Sequence, residues 1–320
     1  MLPQTASWSC TGAIVVAMMF PIGGSGQEHR DIIASKFQEQ LESVAARTPG
    51  VLGIYIIDLE TDARFGVNEE LVFPQASAIK VALLATLYAL DEAGELSVDD
   101  AVTVRASDRA GGSGLLNHFG DGTSTMSLHD LTVPMIVLSD NMATNILVDQ
   151  VGMESVNQFM RELGFPSIRF QRKMIRPEES VRGNENLAKP LEAASFMARI
   201  LRCDLPISPA RCDAMRHLLE LRRPADSAPS QEPVPRNVRV ASKYGSLTGV
   251  RTEWGAVDLP GRPYALAVMG NYSESGLVLE AIRDVARLSY EYFSRLAGAT
   301  DHGVRVPPEL LQPSDSLGGH

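Results

Sequence analysis

Strand-like sequence stands at both ends of this chain, and a long helical block separates the two ends. Such an order leaves few folds open, because strands at opposite ends must pair across the whole insertion to share one sheet. Val51-Leu-Gly-Ile-Tyr-Ile-Ile-Asp-Leu59 is β-branched and mostly apolar and reads as a strand, with a second around 63–67. An amphipathic helix over 28–47 precedes them, with Ile32, Ile33, Phe37, Leu41 and Val44 on one face. From about 75 to 222 the helical period dominates, at 77–93, 128–138, 142–151, 153–163, 188–202 and 209–222. Strand character returns at Val238–Lys243, Glu253–Leu259 and Tyr264–Tyr272, and a helix at 276–297 follows. The simplest architecture joins 27–74 and 224–300 into an α/β domain and inserts an all-α domain, 75–223, between its halves. Residues 224–236 form a returning loop, and 301–320 an irregular tail. A crevice between two such parts is a usual place for a small-molecule site.

Composition narrows the partners. With 320 residues, 44% of them hydrophobic, the chain can build a sizeable core, and its net charge of -10 argues against nucleic acid. Gly12 to Ile22 is apolar but too short to span a bilayer comfortably, and small residues follow at Gly24-Ser25-Gly26. Residues 1–26 therefore read as a signal peptide, cleaved before Gln27, although Met1–Cys10 contains no Lys or Arg. The expected mature protein has no membrane span and is periplasmic or secreted. Outside that segment only Cys203 and Cys212 remain, either as a disulfide around a short turn or as two free thiols. No Cys/His spacing suits zinc, and neither a metal nor a cofactor is expected.

Chemistry enters with Lys80. Its helix, Ala76 to Leu90, is apolar nearly all round and should be buried, where a lysine needs a partner or a task. Ser77 lies three residues earlier, on the same face and one turn nearer the N-terminus. Burial lowers a lysine pKa and would let it take the serine proton. A capping serine beside a snorkelling lysine is the plainer alternative. Two further segments shift the balance: Ser139-Asp140-Asn141 between two helices, and Lys243-Tyr244-Gly245-Ser246 at the end of a strand. Gly111-Gly-Ser-Gly114 lacks the preceding strand and following Lys-Ser/Thr of a phosphate loop, and no Gly-x-Ser-x-Gly elbow occurs.

Ser-x-x-Lys, Ser-Asp-Asn and Lys-[Thr/Ser]-Gly in this order resemble class A β-lactamases and penicillin-binding proteins, over about 28–297. The resemblance implies an α+β fold of β-lactamase/transpeptidase-like type, an antiparallel sheet with flanking terminal helices plus an all-α insertion. It implies a monomer acting on a β-lactam or D-Ala-D-Ala-like small molecule. Ser77 would be the nucleophile, Lys80 its base, held by Ser139 and Asn141, and Ser139 the proton relay to the leaving nitrogen. Lys243 and Arg251 would receive the substrate carboxylate, and the N–H groups of Ser77 and Ser246 would form the oxyanion hole. Relatives carry an Ω-shaped loop with a water-directing glutamate and an asparagine four residues later. Arg176-Pro177-Glu178 matches its start, which makes Glu178, with Glu179 as neighbour, the candidate deacylation base. Arg182 stands where the asparagine is expected, and Tyr244 where Thr or Ser is expected. A penicillin-binding D,D-peptidase, a slowly deacylating β-lactam binder or an esterase would use the same scaffold.

Overall fold

The computed structural model describes residues 25–306, so most of the expected leader (1–24) and the tail beyond 306 lie outside the described residues. In chain order the elements begin with Ser25–Arg47 (α1), Val51–Asp58 (β1), Arg64–Val67 (β2) and Phe73–Pro74 (β3). The middle holds Lys80–Ala93 (α2), Ala101–Val104 (β4), Ser124–Ser127 (β5), Leu128–Val137 (α3), Asn141–Val151 (α4) and Met153–Glu162 (α5). Pro177–Val181 (α6), Leu187–Ala188 (β6), Pro190–Arg202 (α7) and Pro209–Glu220 (α8) complete it. Arg239–Leu247 (β7), Val250–Asp258 (β8), Tyr264–Asn271 (β9) and Ser275–Leu296 (α9) follow.

The two ends of the chain do pair. A five-stranded antiparallel sheet runs β2-β1-β9-β8-β7, and β1 meets β9 in continuous register from Val51↔Asn271 to Asp58↔Tyr264. Its strands are covered on both faces, which is why β1 is apolar throughout rather than alternating. On one face, Phe37, Leu41 and Val44 of α1 meet Ile282, Val285 and Phe293 of α9. Phe37 stacks on Tyr292 and Tyr264 on Phe293, each at 4.3 Å between ring centres. On the other face lies the helical block, with α2 at its centre, buried from Lys80 to Tyr88.

The insertion is not all-α: β4 and β5 pair as a hairpin from Ala101↔Ser127 to Val104↔Ser124, and β3 pairs with β6. Strands of four and two residues are too short to show a period of two, so helical periodicity on either side masked them. Cys203 and Cys212, left open above, are joined by a disulfide from the end of α7 to α8. None of the described helices is long and apolar enough to cross a membrane.

Candidate active site

The turn before α2 explains how Ser77 and Lys80 come together. Residues Ala76–Ile79 form a 3₁₀ turn, where side chains three apart eclipse, so Ser77 and Lys80 line up at the head of α2. Ala76 takes a positive φ of 48°, a strained value for a non-glycine residue that the surroundings must hold. Gln75, wholly buried, does the holding. Its Nε2 donates to the Phe73 carbonyl at 2.8 Å, its Oε1 accepts from Trp254 Nε1 at 2.8 Å, and its carbonyl accepts from Thr252 Oγ1 at 2.9 Å. β7 passes so close that a Cβ on Gly245 would stand 2.5 Å from the Gln75 carbonyl oxygen. Only glycine lets the third motif approach the Ser77 turn.

Lys80 has no exposed surface. Its Nζ donates to the Ser139 carbonyl at 2.8 Å, to Ser139 Oγ at 3.2 Å and to Asn141 Oδ1 at 3.0 Å. Burial pulls its pKa down from 10.5 to about 7, with the Asp140 charge opposing. A lysine poised near neutrality therefore stands three residues, one 3₁₀ turn, from Ser77. From the sheet side, Lys243 Nζ reaches the same Ser139 Oγ at 3.2 Å and also donates to the Tyr244 carbonyl at 2.7 Å. Burial, and then the charges of Lys80 and Arg223, hold the Lys243 ammonium well below the ordinary lysine range. With both lone pairs engaged by the two lysines, the Ser139 hydroxyl proton is free to be donated into the cleft.

Ser139 itself adopts φ 55°, and the residues after it show what fixes it. Asp140 caps α4, accepting from Ala143 N at 2.9 Å, and its second oxygen accepts from Leu115 N at 2.6 Å and Leu116 N at 2.8 Å. Asn141 N donates to the Ser113 carbonyl and Asn141 Nδ2 to the Gly111 carbonyl. The Gly111–Gly114 loop, which the sequence separates from phosphate binding, is thus the backing of the second motif. A Cβ on Gly114, at φ 145°, would lie 2.5 Å from the Asp140 carboxyl carbon.

Ser77, Ser139, Lys243, Tyr244 and Ser246 line one cleft of about 380 Å³. The first helical turn leaves the Ser77 N–H without an intrahelical acceptor. β7 is the free edge of the sheet, and the carbonyls of Val240, Ser242 and Tyr244 accept bonds from outside the ladder. The same alternation directs the Ser246 N–H outward, toward the cleft. Tyr244, next to Lys243 on β7, both lines the cleft and packs half-buried against the cluster that α1 and α9 share. Burial raises the Tyr244 hydroxyl to about 12.

Two expected residues stand apart from this cluster. Arg251 turns back on its own hairpin, donating to the carbonyls of Leu247 at 2.6 Å and Val250 at 2.9 Å. The arginine that does line the cleft is Arg223, between α8 and β7, which the sequence reading left at the end of the helical part without a role. The other is Glu178, exposed at the start of α6, with no hydrogen bond or ion pair among the described residues. Glu179 accepts from Asn184 Nδ2 at 2.7 Å and pairs with Arg182 at 2.6 Å, which lowers its pKa. The loop is closed at its neck by Arg172 and Glu185 at 2.7 Å. The part of it held against α4 is Met174, whose N–H and carbonyl are both bonded to the Asn145 amide. Among the described residues no group of three or more His, Cys, Asp or Glu could hold a metal ion.

A helical block stacked on an antiparallel sheet, with three motifs converging on one serine-lined cleft, defines the β-lactamase/transpeptidase-like class of folds. The profile of the β-lactamase enzyme family matches residues 36–293, and the chain belongs to that family. A β-lactamase of Sphaerobacter thermophilus has a similar structure, with 31% identity and a TM-score of 0.73 over 81% of this chain and 97% of that one. PBP-A is similar too, at 25% identity and a TM-score of 0.73 over 81% and 97%, and one of its mutants has been solved as an acyl-enzyme complex with penicillin G. A β-lactamase of Rhodobacter capsulatus is 29% identical over 176 residues, 52% of this chain and 58% of that protein. The chain spans little more than half the length of the first curated relatives it matches.

Proposed function

We propose that this protein is a serine β-lactamase of class A type that opens β-lactams through an acyl-enzyme on Ser77. The observation that carries the reading is Lys80, fully buried, lowered to about 7 and bonded to Ser139 and Asn141 at the head of the helix that Ser77 begins. Lys80 in its neutral form takes the Ser77 proton as the oxygen attacks the lactam carbonyl. The N–H groups of Ser77 and Ser246 receive the oxyanion. As the carbon–nitrogen bond breaks, Ser139 gives its proton to the ring nitrogen and recovers one from Lys80. Lys243 faces the substrate carboxylate. Arg251 joins it only if it leaves the two carbonyls that now hold it. Water then releases the product, with Glu178 as its base only if α6 turns that exposed carboxylate inward.

One observation favours a second reading, a penicillin-binding protein that deacylates slowly. No carboxylate is hydrogen-bonded to Ser77, Lys80, Ser139 or Asn141 among the described residues, and Glu178 points to solvent. Chromogenic cephalosporin turnover, measured with the lifetime of the penicillin adduct by intact mass, separates the two. Turnover with an adduct cleared in minutes supports the hydrolase, and an adduct lasting hours without turnover supports the binder. We further propose that the protein works outside the cytoplasm, supported by the apolar segment 12–22 and the Cys203–Cys212 disulfide, and that it acts as a monomer, supported by a cleft lined from one chain. Recovery from the cytoplasm, or as an oligomer by light scattering, would contradict this.

A further inference from the structure

Arg223 touches both walls of the cleft, where the helical block and the sheet face each other. Its Nη1 donates to the Ile136 carbonyl at 3.3 Å, in the last turn of α3 and three residues before Ser139. Its Nη2 donates to the carbonyl of Ser242 and, at 2.8 Å, to Ser242 Oγ, one residue before Lys243. We infer that Arg223 is a positioning residue, a planar bridge that sets the gap between Ser139 on one wall and Lys243 on the other. The inference rests on the acylation chemistry proposed for Ser77.

Several features point to positioning rather than to substrate contact. The acceptors are backbone carbonyls and a hydroxyl, spread over two elements from opposite sides of the cleft, and only a rigid fork can span both. The Ile136 carbonyl belongs to a helix C-terminus, where last-turn carbonyls lack intrahelical donors and a cation is favoured. Arg223 Nε is buried without a partner, so that edge of the fork is closed to a ligand. The bridge is itself braced. Arg223 N donates to Gln231 Oε1 at 3.2 Å, and Gln231 Nε2 holds the Val240 carbonyl at 3.2 Å, two residues along the same strand edge. Beneath it lies the buried carboxyl of Glu253, which Ser230 holds through its N–H at 3.0 Å and its hydroxyl at 2.7 Å. The Glu253 charge favours the Arg223 cation without an ion pair between them among the described residues. What the bridge controls is the Ser139–Lys243 hydrogen bond of 3.2 Å, on which proton relay to the leaving nitrogen depends.

The test measures Ser77 acylation by penicillin, by intact mass, in the whole protein and in Arg223→Ala. Loss of the bridge should lower the saturating acylation rate by roughly tenfold to a hundredfold, the scale of a catalytic group misplaced by about 1 Å. The half-saturating concentration should move less than about threefold, because uniform substrate binding is untouched. Millimolar guanidinium should restore part of the rate to Arg223→Ala. If that variant does not fold, Arg223→Lys and Ser242→Ala are read instead. A lysine reaches one acceptor but not both, so a lowered rate at unchanged half-saturation is again expected. A folded variant with a normal rate, or one whose loss lies only in half-saturation, would overturn the bridge. Absence of labelling in the unaltered protein would instead overturn the reading of Ser77.

Discussion

Lys80 ties stability to chemistry, and its substitution by methionine tests both. Moving a buried ammonium from 10.5 to about 7 corresponds to roughly 5 kcal/mol against the charged folded form. The sign follows from proton binding. Between about 7 and 10.5 the unfolded chain holds the Lys80 proton and the folded protein does not, so stability rises with pH across that window. The cost is fully present below pH 7 and is relieved as pH climbs toward 10.5. Lys80→Met lacks this dependence and also frees the Lys243 ammonium from one neighbouring charge, which weakens rather than mimics the parent's pH dependence. Urea unfolding of both proteins at about pH 6 and pH 9 should show the parent gaining roughly 2–3 kcal/mol on the variant between the two. Acylation by penicillin should follow the same group, falling about tenfold per pH unit on the acid side of pH 7 and levelling above it. The variant itself should acylate some 10²–10⁴-fold more slowly. A stability difference that is equal at both pH values, with an acid limb displaced far from 7, would refute the assignment of Lys80 as the neutral base.

Three further outcomes can be checked separately. Glu178→Gln should acylate normally and keep its adduct for hours in intact-mass spectra, while the parent clears it in minutes; a normal Glu178→Gln beside a stalled Glu179→Gln would move the base by one residue. Gly114→Ala places a methyl against the Asp140 carboxyl at a φ of 145°, and should lose about 1–3 kcal/mol in thermal or urea melts together with acylation rate. A melt equal to the parent's would show that the Gly111–Gly114 loop does not need its close approach. Replacing Cys203 and Cys212 by serine releases a link across nine positions and should cost about 3 kcal/mol without changing acylation. An unchanged melt would show that the bond does not constrain the unfolded chain.

The long elements were legible because their patterns are long. Each of the helices α1, α2 and α9 and each strand of the main sheet runs for eight or more residues, except the four-residue β2, which gives a helical period or an unbroken β-branched, apolar run room to show. What could not be read was carried by single groups or by backbone. The β4–β5 hairpin has four residues a side and no period to display. Lys80, Ser139, Asn141 and Lys243 could be found because an apolar helix makes a lysine conspicuous and the motifs fix the rest. Arg223 could not, since its role lies in reaching carbonyls more than eighty residues away in sequence at Ile136 and on a neighbouring strand at Ser242. Arg251 was expected in the cleft from its place after the third motif, but two carbonyls of a tight hairpin offered its guanidinium a nearer partner. Glu178 matched by spacing within a loop, and spacing does not fix where a loop turns its side chains. The Asn145 clamp on Met174 decides that here.

The central claim is the covalent step at Ser77. Incubation of the protein with penicillin G, followed by intact mass and peptide mapping, measures it without assuming how fast the adduct is released. One penicilloyl group on Ser77, absent from Ser77→Ala, is the result expected. An adduct on any other residue, or labelling that survives in Ser77→Ala, would contradict it.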